Sequence, residues 1–202
     1  MTVISAMAMS LDGFVALPDD DPGPIFDFYD AGDVELSVAD GWPTFHMFEP
    51  SASYFLGQVR RTGCHVVGRR LYDLTTGWDG HPGNEAPIVV LTHTPPDDHP
   101  RGGVDYHFVS GIHEAITIAT ALAAELDVAV AGATAGRAAL DAGLLDVIDV
   151  ALVPVILGDG IPWFAGSKGP VGLSDPIVTQ SRGVVHLRYE VLRRAIDPGR
   201  QA

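Results

Sequence analysis

Short apolar runs of β-compatible composition recur along this chain, and several pass straight into stretches with helical periodicity. Thr2 to Met9 (TVISAMAM), Cys64 to Val67, Ile88 to Thr92, Asp105 to Val109, Asp127 to Gly132, Val147 to Leu157 and Val184 to Leu192 read as strands. Between them, Ala52, Phe55, Leu56 and Val59 fall on one helical face, with Ser51 as the expected N-cap after Pro50. Arg69 begins a short helix, and Ile112, Ala115, Ile116, Ala119, Leu122, Ala123 and Leu126 mark a long amphipathic one. Thr134 is the expected cap of the next helix, and Gly143 lies where a left-handed C′ residue belongs. Strands alternating with helices imply an α/β domain around a largely parallel sheet. Ile177 to Gln180 and Val184 to Leu192 leave no room for a helix between them, so that edge is expected to be antiparallel.

At 202 residues the expectation is one domain over 1–196, a tail at 197–202, and a surface excursion at 17–50 rich in Pro, Gly and acidic residues. Twelve Lys plus Arg against twenty-six Asp plus Glu give a formal charge of −14. A surface of that sign argues against nucleic-acid or anionic-membrane partners, which need broad cationic faces. Cys64 is the single cysteine; it sits in an apolar run and reads as a small buried hydrophobe, which fits a reducing compartment. There is no cationic leader before an apolar stretch and no run of about 18 apolar residues, so the expected location is the cytoplasm. The histidines lack tight metal-ligand spacing, and no metal site is expected.

Ligands of open α/β sheets bind at the carboxyl ends of strands. Three junctions of that kind stand out. In VVGRRLYD (Val66 to Asp73), Gly68 permits a tight turn, and Arg69 and Arg70 follow at a helix N-terminus, where free N–H groups and two guanidiniums make an anion site. The alternative is that both arginines face solvent and pair with acidic neighbours. In VAGATAGRAAL (Val130 to Leu140), Gly132, Ala133, Thr134, Ala135 and Gly136 leave little side chain between backbone amides and a diphosphate; the alternative is close helix–sheet packing. VLTHT (Val90 to Thr94) offers hydroxyls and an imidazole at a third strand end.

AMSLDGFVA (Ala8 to Ala16), VVGRRLYD, VLTHTPP, GRAALDAGLLD, VALVPVILGDG and HLRYEV, in this order, resemble the dihydrofolate reductase-like superfamily. The branch they are most similar to is that of the reductase domain of the riboflavin-biosynthesis deaminase-reductase. The resemblance covers nearly the whole chain apart from the excursion. It implies a three-layer αβα sandwich, NADPH as cofactor and a homodimer. It places Arg69 and Arg70, with the adjoining Leu71, on the 2′-phosphate side, Thr92 and His93 near the adenosine, and Gly132 to Gly136 on the diphosphate. Ala8 and Val15 would line the nicotinamide, with Gly158 and Gly160 close by. Ala133 stands where the family has the second of two paired glycines, and alanine is harder to place in a strained turn.

On the substrate side the chain departs from that pattern. Dihydrofolate reductases carry a carboxylate early in the helix before the G-R motif, whereas SASYFLGQV (Ser51 to Val59) has no acid. The lysine and glutamate usual in riboflavin-pathway reductases fall on Ala6 and Ala131. The reading is an NADPH-dependent reductase acting on a small C=O, C=N or conjugated substrate, the cofactor supplying the hydride; the alternative is a nucleotide-binding or sensor protein that has lost turnover. Asp12 is the carboxylate nearest the implied nicotinamide pocket, as a proton relay or substrate contact, or else as a shaper of the turn with Gly13. The aromatic excursion either walls the substrate pocket or packs on a dimer partner.

Overall fold

The computed structural model describes residues 1–39 and 42–192. The expected domain end at 196 and the tail at 197–202 lie outside the described residues. In chain order the strands are β1 (Val3–Ser10), β2 (Phe14–Ala16), β3 (Val34–Leu36), β4 (Phe45–Met47), β5 (Thr62–Gly68), β6 (Ile88–Leu91), β7 (Tyr106–Val109), β8 (Asp127–Ala131), β9 (Val147–Val153), β10 (Ile161–Pro162), β11 (Gly172–Leu173), β12 (Ile177–Ser181) and β13 (Val184–Leu192). The helices are α1 (Glu49–Arg61), α2 (Arg69–Leu74), α3 (Ile112–Ala123) and α4 (Ala133–Asp141), with 3-10 segments at Gly23–Asp30 and Thr76–Gly80.

Among the described residues, nine strands form one sheet in the order β11-β13-β9-β1-β8-β5-β6-β7, with β12 also paired to β13. From β9 through β7 every pairing is parallel, and β13 closes the edge antiparallel to β9. The strands β1, β5, β6, β8 and β9 therefore end on one side of the sheet, at Ser10, Gly68, Leu91, Ala131 and Val153.

Side chains alternate between the two faces of a strand. One face carries Val3, Cys64, Val66, Val128, Val130, Ile148 and Val150, packed against Ala115, Ile116 and Ala119 of α3 and Ala135 and Ala139 of α4. Cys64 is fully buried there, and burial pushes its thiol up to about 12, so it is an inert hydrophobe as its sequence context indicates. The alanines of α4 and Gly136 bring the helix close: a Cβ at Gly136 would lie 2.7 Å from Ser5 Oγ and 3.2 Å from Trp163 Nε1.

The opposite face is covered by α1, the 3-10 segment Gly23–Asp30 and the β3–β4 hairpin. The excursion thus holds more regular structure than the sequence indicated, knitted by Tyr29, Phe45 and Phe55 in edge and tilted ring contacts. Helix α1 starts three residues earlier than expected: Phe48 is its N-cap and Pro50 occupies its first turn. Proline fits there because its missing N–H has no helical partner to lose. Ser51 instead lies 2.8 Å from Nε2 of buried His186, inside the molecule. Gly143 does adopt the left-handed C′ conformation, with φ +68°.

Candidate active site

Strand-end geometry brings the sequence's two glycine junctions together. Gly132 has φ +92°, open to glycine at little cost, and is the N-cap of α4. A Cβ on it would meet Leu71 at 3.7 Å and the Gly68 amide nitrogen at 4.0 Å, so the turns after β8 and β5 abut. The cap role falls to Gly132 and not to Thr134, which lies inside the first turn. Ala133 is helical, so the strained position is the glycine before it, and the alanine that departs from the paired-glycine pattern carries no backbone penalty. Ala135 and Gly136 are buried against the sheet, which is the packing alternative; Gly132, Ala133 and Thr134 are the part of this turn that reaches the surface.

The two arginines separate. Arg69 Nε donates to both oxygens of Asp73 at 2.8 and 3.0 Å, and its Nη1 donates to the Thr94 carbonyl, which ties α2 to the strand end holding Thr92 and His93. Arg70 turns the other way, onto Asp20 of the excursion at 2.6 Å. Pairing with acidic neighbours, one of the two sequence readings, is therefore present at both.

Asp12 is fully engaged at the mouth. Ser10 Oγ donates to it at 2.6 Å, and the amides of Leu157 and Gly158 donate at 3.2 and 2.8 Å. The Ser10 hydroxyl, then the two amides, outweigh desolvation and hold its carboxyl below the usual range. It pins the turn at Gly13 to the loop bearing Gly158, while Gly160 packs against Phe14 and the Ala16 carbonyl. Asp12 does not line the cavity described next.

Beneath these turns, between α1 and the sheet, lies a cavity of about 900 Å³. Ala8, Val15, Leu71 and Ala131 line its end nearest the turns, and Ile4, Ala6 and Ala129 continue its floor. The floor exists because β1 and β8 place alanine on this face at alternate positions. The roof stands off on two side chains seven residues apart on one face of α1, about 10 Å along the axis. Tyr54 Oη donates to both oxygens of Asp149 at 2.7 Å, and Arg61 Nε and Nη2 reach Asp127 Oδ2 at 2.9 Å. Asp149, only 2% exposed, also accepts from Arg188 Nη1 at 3.2 Å. Burial, then the Asp149 contact, raises the Tyr54 pKa well above its ordinary value, so it stays protonated as a donor. His186 stacks on Tyr54 with ring centroids 4.4 Å apart. Burial lowers the pKa of His186, and also that of His65, whose Nε2 lies 2.9 Å from Asn84 Oδ1.

Sequence reading missed Asp149, Tyr54, His186 and Arg188. One signal was present: Asp149 is the lone acid in the apolar strand VIDVALV. Among the described residues no group of His, Cys, Asp and Glu could hold a metal ion, and no helix is long and apolar enough to cross a membrane.

No family model matches the sequence, and no curated protein matches it. Solved structures do. A protein from Shewanella sp. PV-4 described as a candidate riboflavin biosynthesis protein superposes with a TM-score of 0.70 at 20% identity, covering 96% of this chain and all of that one. The diaminohydroxyphosphoribosylaminopyrimidine deaminase/5-amino-6-(5-phosphoribosylamino)uracil reductase of Thermotoga maritima gives 0.59 at 15%, over 95% of this chain and 56% of that one. Dihydrofolate reductase from Enterococcus faecalis, complexed with NADP(H), gives 0.54 at 14%, over 94% and 96%. The chain has the dihydrofolate reductase-like fold, with the mostly parallel sheet and antiparallel C-terminal edge expected from its sequence.

Proposed function

We propose that this protein is an NADPH-dependent reductase whose substrate enters the cavity under α1. The observation that carries the reading is continuity: the cavity lined by Ala8 and Val15 reaches Leu71 and Ala131, which adjoin the abutting turns at Gly68 and Gly132. Gly132, Ala133 and Thr134 fit a diphosphate, since they carry little side chain and form the part of the turn that reaches the surface at the N-terminus of α4. Arg69 with Thr92 and His93 fits the adenosine phosphate. NADPH, when bound, supplies the hydride. The chain's own part is to hold the acceptor on the alanine floor, exclude water beneath α1, and provide a proton. Tyr54 is the donor best placed for this, since its hydroxyl lies inside the cavity: it would turn from Asp149 to give its proton to the reduced acceptor and regain one from solvent.

Calorimetric titration with NADPH and NADH tests the cofactor assignment. Arg69→Ala is expected to weaken NADPH about tenfold, near 1.4 kcal/mol, the lower end for a charge-assisted bond because Asp73 already holds the guanidinium, with NADH affinity unmoved. Equal losses, or no NADPH binding by the wild type, would remove the assignment. Tyr54→Phe should lower kcat by roughly a hundredfold on a reducible carbonyl without changing the NADPH Kd; an unchanged kcat would assign the proton elsewhere.

The same reading includes a homodimer. Ile177 and Val178 on β12, 68% and 55% exposed, and the exposed Leu173 and Leu192 put apolar side chains on the outermost strands, where a second copy would cover them. Light scattering at micromolar concentration should give twice the chain mass; a monomer would overturn it.

A further inference from the structure

The cavity also states what kind of molecule it accepts. Among the described residues its charged lining consists of two guanidiniums, Arg61 and Arg188, and two carboxylates, Asp127 and Asp149, and each guanidinium is bonded to one carboxylate. Asp127 and Asp149 have side chains 3% and 2% exposed, so neither pair can separate without leaving a charge buried alone. His65 is held neutral by burial. Among the described residues both cations of the lining are thus neutralised by carboxylates, so a phosphate, sulfonate or carboxylate entering the cavity meets no net positive charge.

The walls are aromatic and come from separate segments: Tyr29, Phe45 and Trp42 of the excursion, Phe55 of α1, and Trp78. Trp78 is placed at unusual cost. Thr76, Gly77, Trp78 and Asp79 all have left-handed φ, at 51°, 60°, 55° and 48°, a conformation β-branched and aromatic residues rarely adopt. The turn sets the indole beside the His65 ring, inclined to it by 30° with centroids 6.5 Å apart, on the cavity wall. Tyr106 Oη holds the turn through the Gly77 carbonyl, and a side chain at Gly77 would collide with Tyr72 and Tyr106. A flat alanine floor faces these rings.

We propose that the substrate is a flat, largely apolar ring compound carrying no phosphate or other anionic group, with Trp78 as a wall on which the ring stacks. The proposal rests on the reductase reading only in leaving the Ala8 end of the cavity to the cofactor. It separates this chain from a neighbour such as the Thermotoga maritima uracil reductase, whose named substrate bears a phosphoribosyl group.

The test is a calorimetric titration, without cofactor, of 1,4-naphthoquinone, 1,4-naphthoquinone-2-sulfonate and uridine 5′-monophosphate. The neutral quinone is expected to bind at least tenfold more tightly than either anion. Trp78→Ala should weaken the quinone about tenfold while leaving the NADPH Kd unchanged; if that variant fails to fold, Trp78→Phe should retain binding and Ala129→Leu, which fills the floor, should abolish it. Equal or tighter binding of either anion, or no binding of the quinone, would overturn the proposal. Quinone binding without NADPH binding would leave it standing and overturn the reductase reading instead.

Discussion

The two faces of the central sheet are built from the same strands and behave as opposites. Toward α3 and α4, β1, β8 and β9 present Val3, Val128, Val130, Ile148 and Val150, and the helices close on them through small residues. Toward α1 the same strands present Ala6, Ala8, Ala129, Ala131 and Ala151 with two carboxylates, and the helix is held off by Tyr54 and Arg61. One face contributes stability through close packing, where each buried methylene counts. The other gives up that packing to keep space, and holds its polar groups in fixed pairs. The lesson is that the open face is a cavity specified by side-chain size and by two polar supports, while the fold itself rests on the face behind it.

The largest expected effect is on the packed face. Ile148→Ala should cost about 2–5 kcal/mol of unfolding free energy in urea titration; a loss below about 1 kcal/mol would erase the contrast. An intermediate effect should come from acid, and it should arise on the open face. His65 and His186 both have folded pKa values lowered from 6.5 by burial. Stability from keeping them neutral is therefore complete above the unfolded value near 6.5 and is lost as pH falls below it. Each unit of depression corresponds to about 1.4 kcal/mol, and each kcal/mol to about 2–4 °C in Tm for a chain of this size. Melting curves at pH 7.5 and 5.5 should show the drop, and a His65→Gln, His186→Gln double variant should flatten it. An unchanged slope would place the acid sensitivity elsewhere. The smallest effect should follow Ala129→Leu, which adds bulk to an empty space. Its stability should shift by less than about 1 kcal/mol, against the 1–3 kcal/mol of an overfilled core. A larger loss would mean the floor is already packed.

Much of the architecture was legible because strand and helix periodicities are local. Val184 to Leu192 was read to its exact bounds, and Gly143 was placed at its C′ position, since both follow from alternation and from backbone conformation alone. The glycine turn at 132 was legible for the same reason. The short strands β2, β3, β4, β10 and β11 were not, because two or three residues show no period, and β2, β10 and β11 pair only when the chain brings distant segments together. The Ala/Met and Ala/Val alternations of VISAMAMS and DVAVA were visible, yet both members are apolar, so they read as uniformly buried strands.

By itself, then, the sequence determined the longer strands and helices, that the sheet is mostly parallel with an antiparallel last edge, and that glycine turns lie where those strands end. Each of these depends on neighbours within a few residues. Tertiary structure decided the rest. It set Asp149 against Tyr54, ninety-five positions away, and Asp127 against Arg61, sixty-six away, and it turned Arg69 and Arg70 to different partners. A buried charge needs a counter-charge, and where that partner lies far along the sequence only the folded chain fixes which one it is.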